Sequence, residues 1–360
     1  MAVNPYHGAS PHRLWRRAVS IQGAETDPVH AFPFTVSTTD AVVTAGSCFA
    51  QHISRRLAAS GYKFLITEAA HPFLEPDTAA AFNYGRFTAR YGNIYTARQL
   101  LQLFHRAYGT FTPVEDAWRT DTGAWIDPFR PQIQPGGFPT EAEYRADREQ
   151  HFAAVRTAFE TADVFIFTLG LTECWEHAVD GAAFPICPGT SAGGVFDPEV
   201  HRFANHSVSD VIEDMEAFFG ALRAMNPQVR VILTVSPVPL VATARDAHVL
   251  VATTYSKSVL RVAAETLVSR HEKTGYFPSY EIITGPQSRG GYFEDDLRDV
   301  RAEGVDRVMS LFFQHVCETS GESQPAEQRA TASDDFFERA KSLNDALCDE
   351  LLLDDGSSAD

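Results

Sequence analysis

Five short runs of β-branched, aromatic and aliphatic residues punctuate the chain: 41–45 (AVVTA), 62–66 (YKFLI), 164–169 (VFIFTL), 229–235 (VRVILTV) and 280–283 (YEII). Each is largely unbroken by polar residues, which is the pattern of a strand covered on both faces. Between them lie longer stretches with apolar residues at helical spacing, at 49–60, 97–108, 141–161, 208–225, 253–274 and 303–317. Short covered strands alternating with helices call for a parallel sheet with helices on either side. The expected fold class is therefore α/β, a three-layer α/β/α sandwich with a central parallel sheet.

A chain of 360 residues with 44% hydrophobic content has ample material for one large domain. The pattern places that domain at residues 40–318, after an N-terminal extension (1–39) and before a linker and acidic C-terminal helix or tail (319–360). Residues 109–140 break the rhythm with five prolines and two tryptophans, Trp118 and Trp125, and read as an irregular insertion of the sort that shapes a cleft. Stacking of a sugar ring on these tryptophans is one expectation.

The formal net charge is −17, which argues against a binder of nucleic-acid phosphates or of anionic membrane. Residues 331–360 hold nine Asp and Glu against Arg339 and Lys341, so seven of those charges belong to the tail, whose apolar spacing suits a helix that binds a partner or lies on its own domain. No apolar run approaches the ~18–20 residues of a membrane span, and the first 40 residues lack the apolar core of a leader, so the cytoplasm is the expected compartment. Five scattered cysteines without a C-x-x-C pair signal neither a disulfide framework nor a zinc site. No metal and no cofactor are expected.

In an open parallel sheet, ligands bind beyond the carboxyl ends of the strands, so the residues after each run matter most. The first run is followed by Gly46-Ser47-Cys48. A glycine there lets the chain turn sharply into a helix, whose unpaired N–H groups and positive dipole end favour an anion. That setting lowers a thiol's pKa and suits Cys48 as a nucleophile; the alternative is that Ser47 is the helix N-cap and Cys48 a small buried apolar group.

The string AGSCFAQHISRRL resembles the defining motif of the GSCFA family. The segments ARYGNIYTARQLLQL, FTLGLTECW, TVSPVPLVAT, YSKSVLR and YFPSYEII resemble that family's core in the same order, over about residues 40–315. The family is similar to SGNH/GDSL-type hydrolases, flavodoxin-like three-layer enzymes that act mostly on acyl esters. The resemblance implies a hydrolase or acyltransferase acting on a small-molecule or glycan acyl substrate, or a non-catalytic module that binds a carbohydrate or acyl ligand in the same cleft. It aligns Cys48 with the nucleophile and Ser47 with an aspartate, or Ser47 with the nucleophile after a one-residue shift. It points to Gly92, Asn93, Gly170 and Thr172 as oxyanion-hole donors. Glu173, Asp296 and Asp299 are the supporting acids it suggests, although Asp299 stands where the related enzymes carry histidine. A base must then come from elsewhere. His52, one helical turn beyond Cys48, and His177 are the candidates, with His201 behind them. Lys257, at the start of a helix, reads as a solvated lysine or as a cation that neutralises an anionic substrate.

Overall fold

The unbroken apolar runs do form a parallel sheet. The structure is a computed structural model that describes residues 4–318, Ser191 excepted and Cys48 by its backbone alone. In chain order it contains β1 (Val42–Gly46), α1 (Cys48–Ala59), α2 (Pro76–Ala81), α3 (Ala97–Ala107), β2 (Trp118–Arg119), β3 (Trp125–Ile126), α4 (Glu141–Thr161), β4 (Val164–Leu169) and β5 (Glu173–His177). It continues with β6 (Ala183–Phe184), β7 (His201–Asn205), α5 (Val208–Met225), β8 (Arg230–Val235), α6 (Val249–Arg270), β9 (Thr274–Tyr276), α7 (Ser279–Thr284) and α8 (Ala302–His315).

The central sheet has the order β1-β4-β8-β9 with every pair parallel. On the outer side of β1, Phe64 makes a single parallel bridge to Val42, all that remains of the strand expected at 62–66. Counting that bridge, the order is 2-1-3-4-5, a doubly wound arrangement that reverses direction between β1 and β4. Alternate side chains separate the two outer layers. Val43, Ala45, Phe165, Phe167 and Leu233 pack with α3, α4, α5 and α6. Val42, Val164, Ile166 and Ile232 pack with α1, α7 and α8. The three-layer α/β/α expectation holds, and the phenylalanines fill the first of these cores, where Phe104, Phe159, Phe165 and Phe218 meet ring to ring.

Two further elements differ from the sequence reading. The run 280–283 is helical, in α7, where Ser279 hydrogen-bonds Thr234 (Oγ to Oγ1, 2.8 Å). A four-residue apolar run is compatible with either state, and length alone does not decide it. The last strand is β9, at the end of the stretch taken as helix 253–274. Its central Gly275 interrupts the apolar pattern because Phe32 lies against it, and a Cβ there would stand 2.5 Å from that ring.

Residues before the sheet are built into the body. Val29 and Val36 are buried, and Val36 pairs with Cys317 just after α8. The 109–140 excursion is a β2–β3 hairpin extended by a bridge from Trp125 to Phe138. Trp118 is 2% exposed and offers no face to a sugar, and the Arg119 guanidinium, 3.7 Å from the ring centroid, covers one face of the half-buried Trp125. A buried polar network underlies this region: Glu68 accepts the Arg90 N–H (2.7 Å) and meets His151 Nδ1 (2.8 Å), while Arg130 pairs with Asp127 (2.9 Å) and Asp147 (2.5 Å). Among the described residues no helix is long and apolar enough to cross a membrane. The acidic segment 319–360 lies outside the described residues.

Candidate active site

β1 ends at Gly46 with φ 141°, a conformation that side chains resist. Glycine is also the residue that fits, since a Cβ there would lie 2.5 Å from Thr168 O on the neighbouring strand. Ser47 follows in extended conformation as the N-cap of α1, and Cys48 is the first residue of that helix. Ser47 is 4% exposed, its side chain makes no capping bond, and its Oγ is buried with no hydrogen-bond partner among the described residues. This junction stands at the carboxyl end of β1, beside the point where the strand order reverses.

Two other loops close on it. The YGNIYT loop docks through Ile94 N–H to Gly46 O (2.8 Å) and through Asn93 Oδ1, which accepts from Gln51 Nε2 of α1 (3.3 Å). Gly92, at φ 71°, supplies the turn that precedes it. A capping box at the start of α3 fixes the loop's far end, where Gln99 Oε1 accepts the N–H groups of Tyr95 and Thr96, each at 2.9 Å. The loop after β4 then hangs on the YGNIYT loop: Tyr95 O accepts from both Gly170 N–H (3.1 Å) and Leu171 N–H (2.9 Å). Packing is close enough that a Cβ on Gly170 would stand 3.0 Å from Tyr95 O and 3.2 Å from Ser47 Cβ.

Those bonds change the roles expected of two residues. Gly170 gives its N–H to Tyr95, and Thr172 gives its N–H to Ser256 Oγ (3.1 Å) and its hydroxyl to Asn205 Oδ1 (2.7 Å). Both form the wall of the site, and their donors are engaged there. Gly92 and Asn93 are at the junction. Glu173 flanks it, accepting from Thr243 Oγ1 of the segment after β8 (2.8 Å), with burial pushing its carboxyl up. Leu240 from the same segment packs with Tyr95 and Leu171 as an apolar cover.

The expected proton-transfer groups are not gathered here. His52 lies on α1 with its ring 5.8 Å from that of Phe49; burial, then Arg55 and Arg56, lowers its pKa to about 3, too weak a base for neutral pH. His177 ends β5, about 13 Å along that strand from Glu173, where Asp180 pairs with it (3.3 Å). His201 is held by Glu115 (2.8 Å). Asp296 and Asp299 belong to a surface turn in which Asp296 Oδ1 accepts the N–H groups of Arg298 (2.9 Å) and Asp299 (3.0 Å).

Beyond Thr172, Cys174, Glu176 and His206 bring ligand-type atoms within 4.8 Å of one another, a grouping that a scan for C-x-x-C or His pairs misses because β5 and the end of β7 create it. Arg98 already sits beside Glu176 (3.3 Å) and Asp214 (2.8 Å), and burial pushes the Cys174 thiol up, so the carboxylate is paired and the thiol stays protonated. The sequence reading also missed the burial of Lys257. It is 1% exposed, and its Nζ donates to Gly170 O at 2.7 Å. Its spacing carried the signal, since Leu260 and Ala264 fall three and seven residues later on the same buried face.

No curated protein and no solved structure gives a match to this chain. The family model described as "GSCFA family" matches residues 41–312, which take in the Gly46-Ser47-Cys48 junction and the loops after β4 and β8. The chain therefore belongs to the GSCFA family.

Proposed function

We propose that the protein is an SGNH-like hydrolase or acyltransferase that forms an acyl-enzyme on Cys48, acting on an acyl ester or thioester. The observation that carries this reading is the junction itself: a glycine required both by its backbone conformation and by close strand packing, followed by the first turn of a 12-residue helix at the reversal point of the sheet. A nucleophile at the first helical position meets the positive end of the helix, which stabilises a thiolate. The N–H groups of Cys48 and Phe49 lack intrahelical acceptors by helix geometry, and with Gly92 and Asn93 they are the donors for an oxyanion. Ser47, buried and preceding the helix, is the alternative nucleophile.

The test compares Cys48→Ala and Ser47→Ala separately on a panel of short acyl esters and thioesters, with mass spectrometry of the intact chain for an acyl adduct. Loss of about a thousandfold in turnover and of the adduct in the Cys48 variant is expected. Wild-type turnover in both variants, or no acyl compound processed by the wild-type chain, would sink the proposal. A second reading, a ligand-binding module on the same scaffold, draws on the engagement of His177 and His201 away from the junction. It predicts saturable ligand binding without any adduct.

A further inference from the structure

Arginine is rarely buried without a partner, because its cation then lacks both water and a counter-charge. Arg106, on α3, is 7% exposed, and its guanidinium carbon lies 3.8 Å from the Phe129 ring centroid. Stacking occupies a face of the guanidinium and leaves its in-plane N–H groups unused. Among the described residues those groups have neither a hydrogen-bond acceptor nor a carboxylate in ion-pair contact. The acids nearby are engaged by other arginines: Asp127 by Arg130 (2.9 Å) and Arg148 (3.4 Å), and Asp147 by Arg130 (2.5 Å) and Arg90 (2.8 Å). Burial lowers the Arg106 pKa to about 9 against the opposing charge of Asp127, so the group is still a cation at neutral pH. Arg106 lines a cavity of about 20 Å³ together with Tyr91, Asn93, Gln99, Phe129 and His151. Two more polar groups of these side chains lack partners among the described residues. Gln99 directs its Oε1 to the N–H groups of Tyr95 and Thr96, and its Nε2 donates to none of them. His151 meets Glu68 through Nδ1, and its Nε2 is buried with no partner.

We infer that this cavity binds a carboxylate group, with Arg106 as its counter-charge and the Gln99 amide as a second donor. Room for about two water-sized groups suits the two oxygens of a carboxylate, and a tetrahedral oxyanion is larger. Water alone would meet the hydrogen-bonding needs of the wall but leave the buried cation uncompensated, whereas a carboxylate does both. His151 is uncharged at neutral pH, its pKa lowered by burial to about 4, so with Nδ1–H facing Glu68 its Nε2 accepts from a water beside the bound carboxylate. Asn93 and Ile94, which dock the YGNIYT loop on Gly46 and α1, form another part of the wall, so an occupant also touches the loop that reaches the junction. The carboxylate belongs either to a small free acid or to the end of a longer ligand that enters by its acidic group; recognition is the same for both. The site stands apart from the acyl-transfer reading, because binding there needs no nucleophile at 47–48.

The full chain, as wild type, Arg106→Met and Arg106→Lys, is titrated at neutral pH and constant ionic strength with sodium formate, acetate and hexanoate. Two quantities are read, the calorimetric Kd and the melting temperature. At about a hundredfold excess of ligand over Kd, the wild-type melting temperature should rise by about 4 °C. Arg106→Met removes the cation while keeping an apolar partner for Phe129, and its melting temperature should not respond. Arg106→Lys keeps a charge but loses the planar fork, so its Kd should weaken by about tenfold or more. Binding of formate and acetate supports the site and assigns it to a small free acid; binding of hexanoate alone supports the site and assigns it to the end of a longer ligand. A wild-type chain that responds to none of the three overturns the inference, and so does a Kd that is unchanged in Arg106→Met. If the methionine variant does not fold, the lysine variant decides, and an unchanged Kd there overturns the inference in the same way.

Discussion

Replacing Gly46 with alanine tests whether close strand packing fixes the residue at the head of the site. The added Cβ would stand 2.5 Å from Thr168 O, 2.7 Å from Thr168 Cβ and 2.9 Å from Thr168 N, and neither strand can give way without loosening the β1–β4 ladder. A backbone conformation foreign to side chains costs about 1–3 kcal/mol. Overpacking against a rigid neighbour adds about 1–3 kcal/mol. Gly61 separates the two costs, because its φ is 81° but nothing lies within 4 Å of its virtual Cβ, so Gly61→Ala carries the backbone cost alone. The expected losses are therefore about 4 kcal/mol for Gly46→Ala and about 1–2 kcal/mol for Gly61→Ala. At about 1.5 °C per kcal/mol for a chain of this size, the melting temperatures should fall by about 6 °C and about 1.5–3 °C. Urea unfolding with an unchanged m-value, alongside calorimetry, gives both numbers. Equal losses in the two variants would refute the packing argument and leave the glycine explained by its dihedral angle alone.

Two further predictions concern acid. Burial pushes the Glu68 carboxyl up, but hydrogen bonding to His151, the charges of His151 and Arg130 and the Arg90 N–H outweigh it and hold the pKa at about 2, below its usual 4.5. Burial lowers the His151 pKa from 6.5 to about 4. The unfolded chain binds protons that these folded groups refuse, so stability is lost first as pH falls from 6.5 toward 4 and again from 4.5 toward 2. Glu68→Gln should cost about 3–5 kcal/mol at pH 7 by leaving buried arginines short of an anion, and it should flatten the lower limb; an unchanged limb in urea titrations would contradict it. For His52 the same sign applies between pH 6.5 and about 3. Relative to wild type, His52→Phe should therefore gain stability at pH 5 compared with pH 7, and a constant difference would show that His52 is not shielded from protons.

Much of the scaffold was legible because three strands are unbroken apolar runs and announce burial on both faces. The runs that became β1, β4 and β8 held to within one residue. β9 was hidden by a glycine that exists for Phe32, and α7 was misread because its apolar run is too short to show a period. For the site, Gly46-Ser47-Cys48 was legible from its position after a strand and Gly92 and Asn93 through the family resemblance, and the YGNIYT loop docks on Gly46 and α1. The engagement of Gly170 and Thr172 was not, because it depends on partners 75 or more positions back, at Tyr95, or 84 ahead, at Ser256, and a local pattern carries no such information. Lys257 was misjudged by residue type where its spacing was the better guide.

The pairing of Val36 with Cys317 has a practical consequence. Arg230, at the amino end of β8, donates to Thr35 O (2.6 Å) and pairs with Asp40 (2.7 Å), so the segment entering β1 and the segment leaving α8 meet at the amino ends of the strands. The Gly46-Ser47-Cys48 junction lies at the other end, about 17 Å away along the five residues of β1. A fluorophore, affinity tag or surface tether joined after residue 318 therefore starts from the end of the sheet opposite that junction.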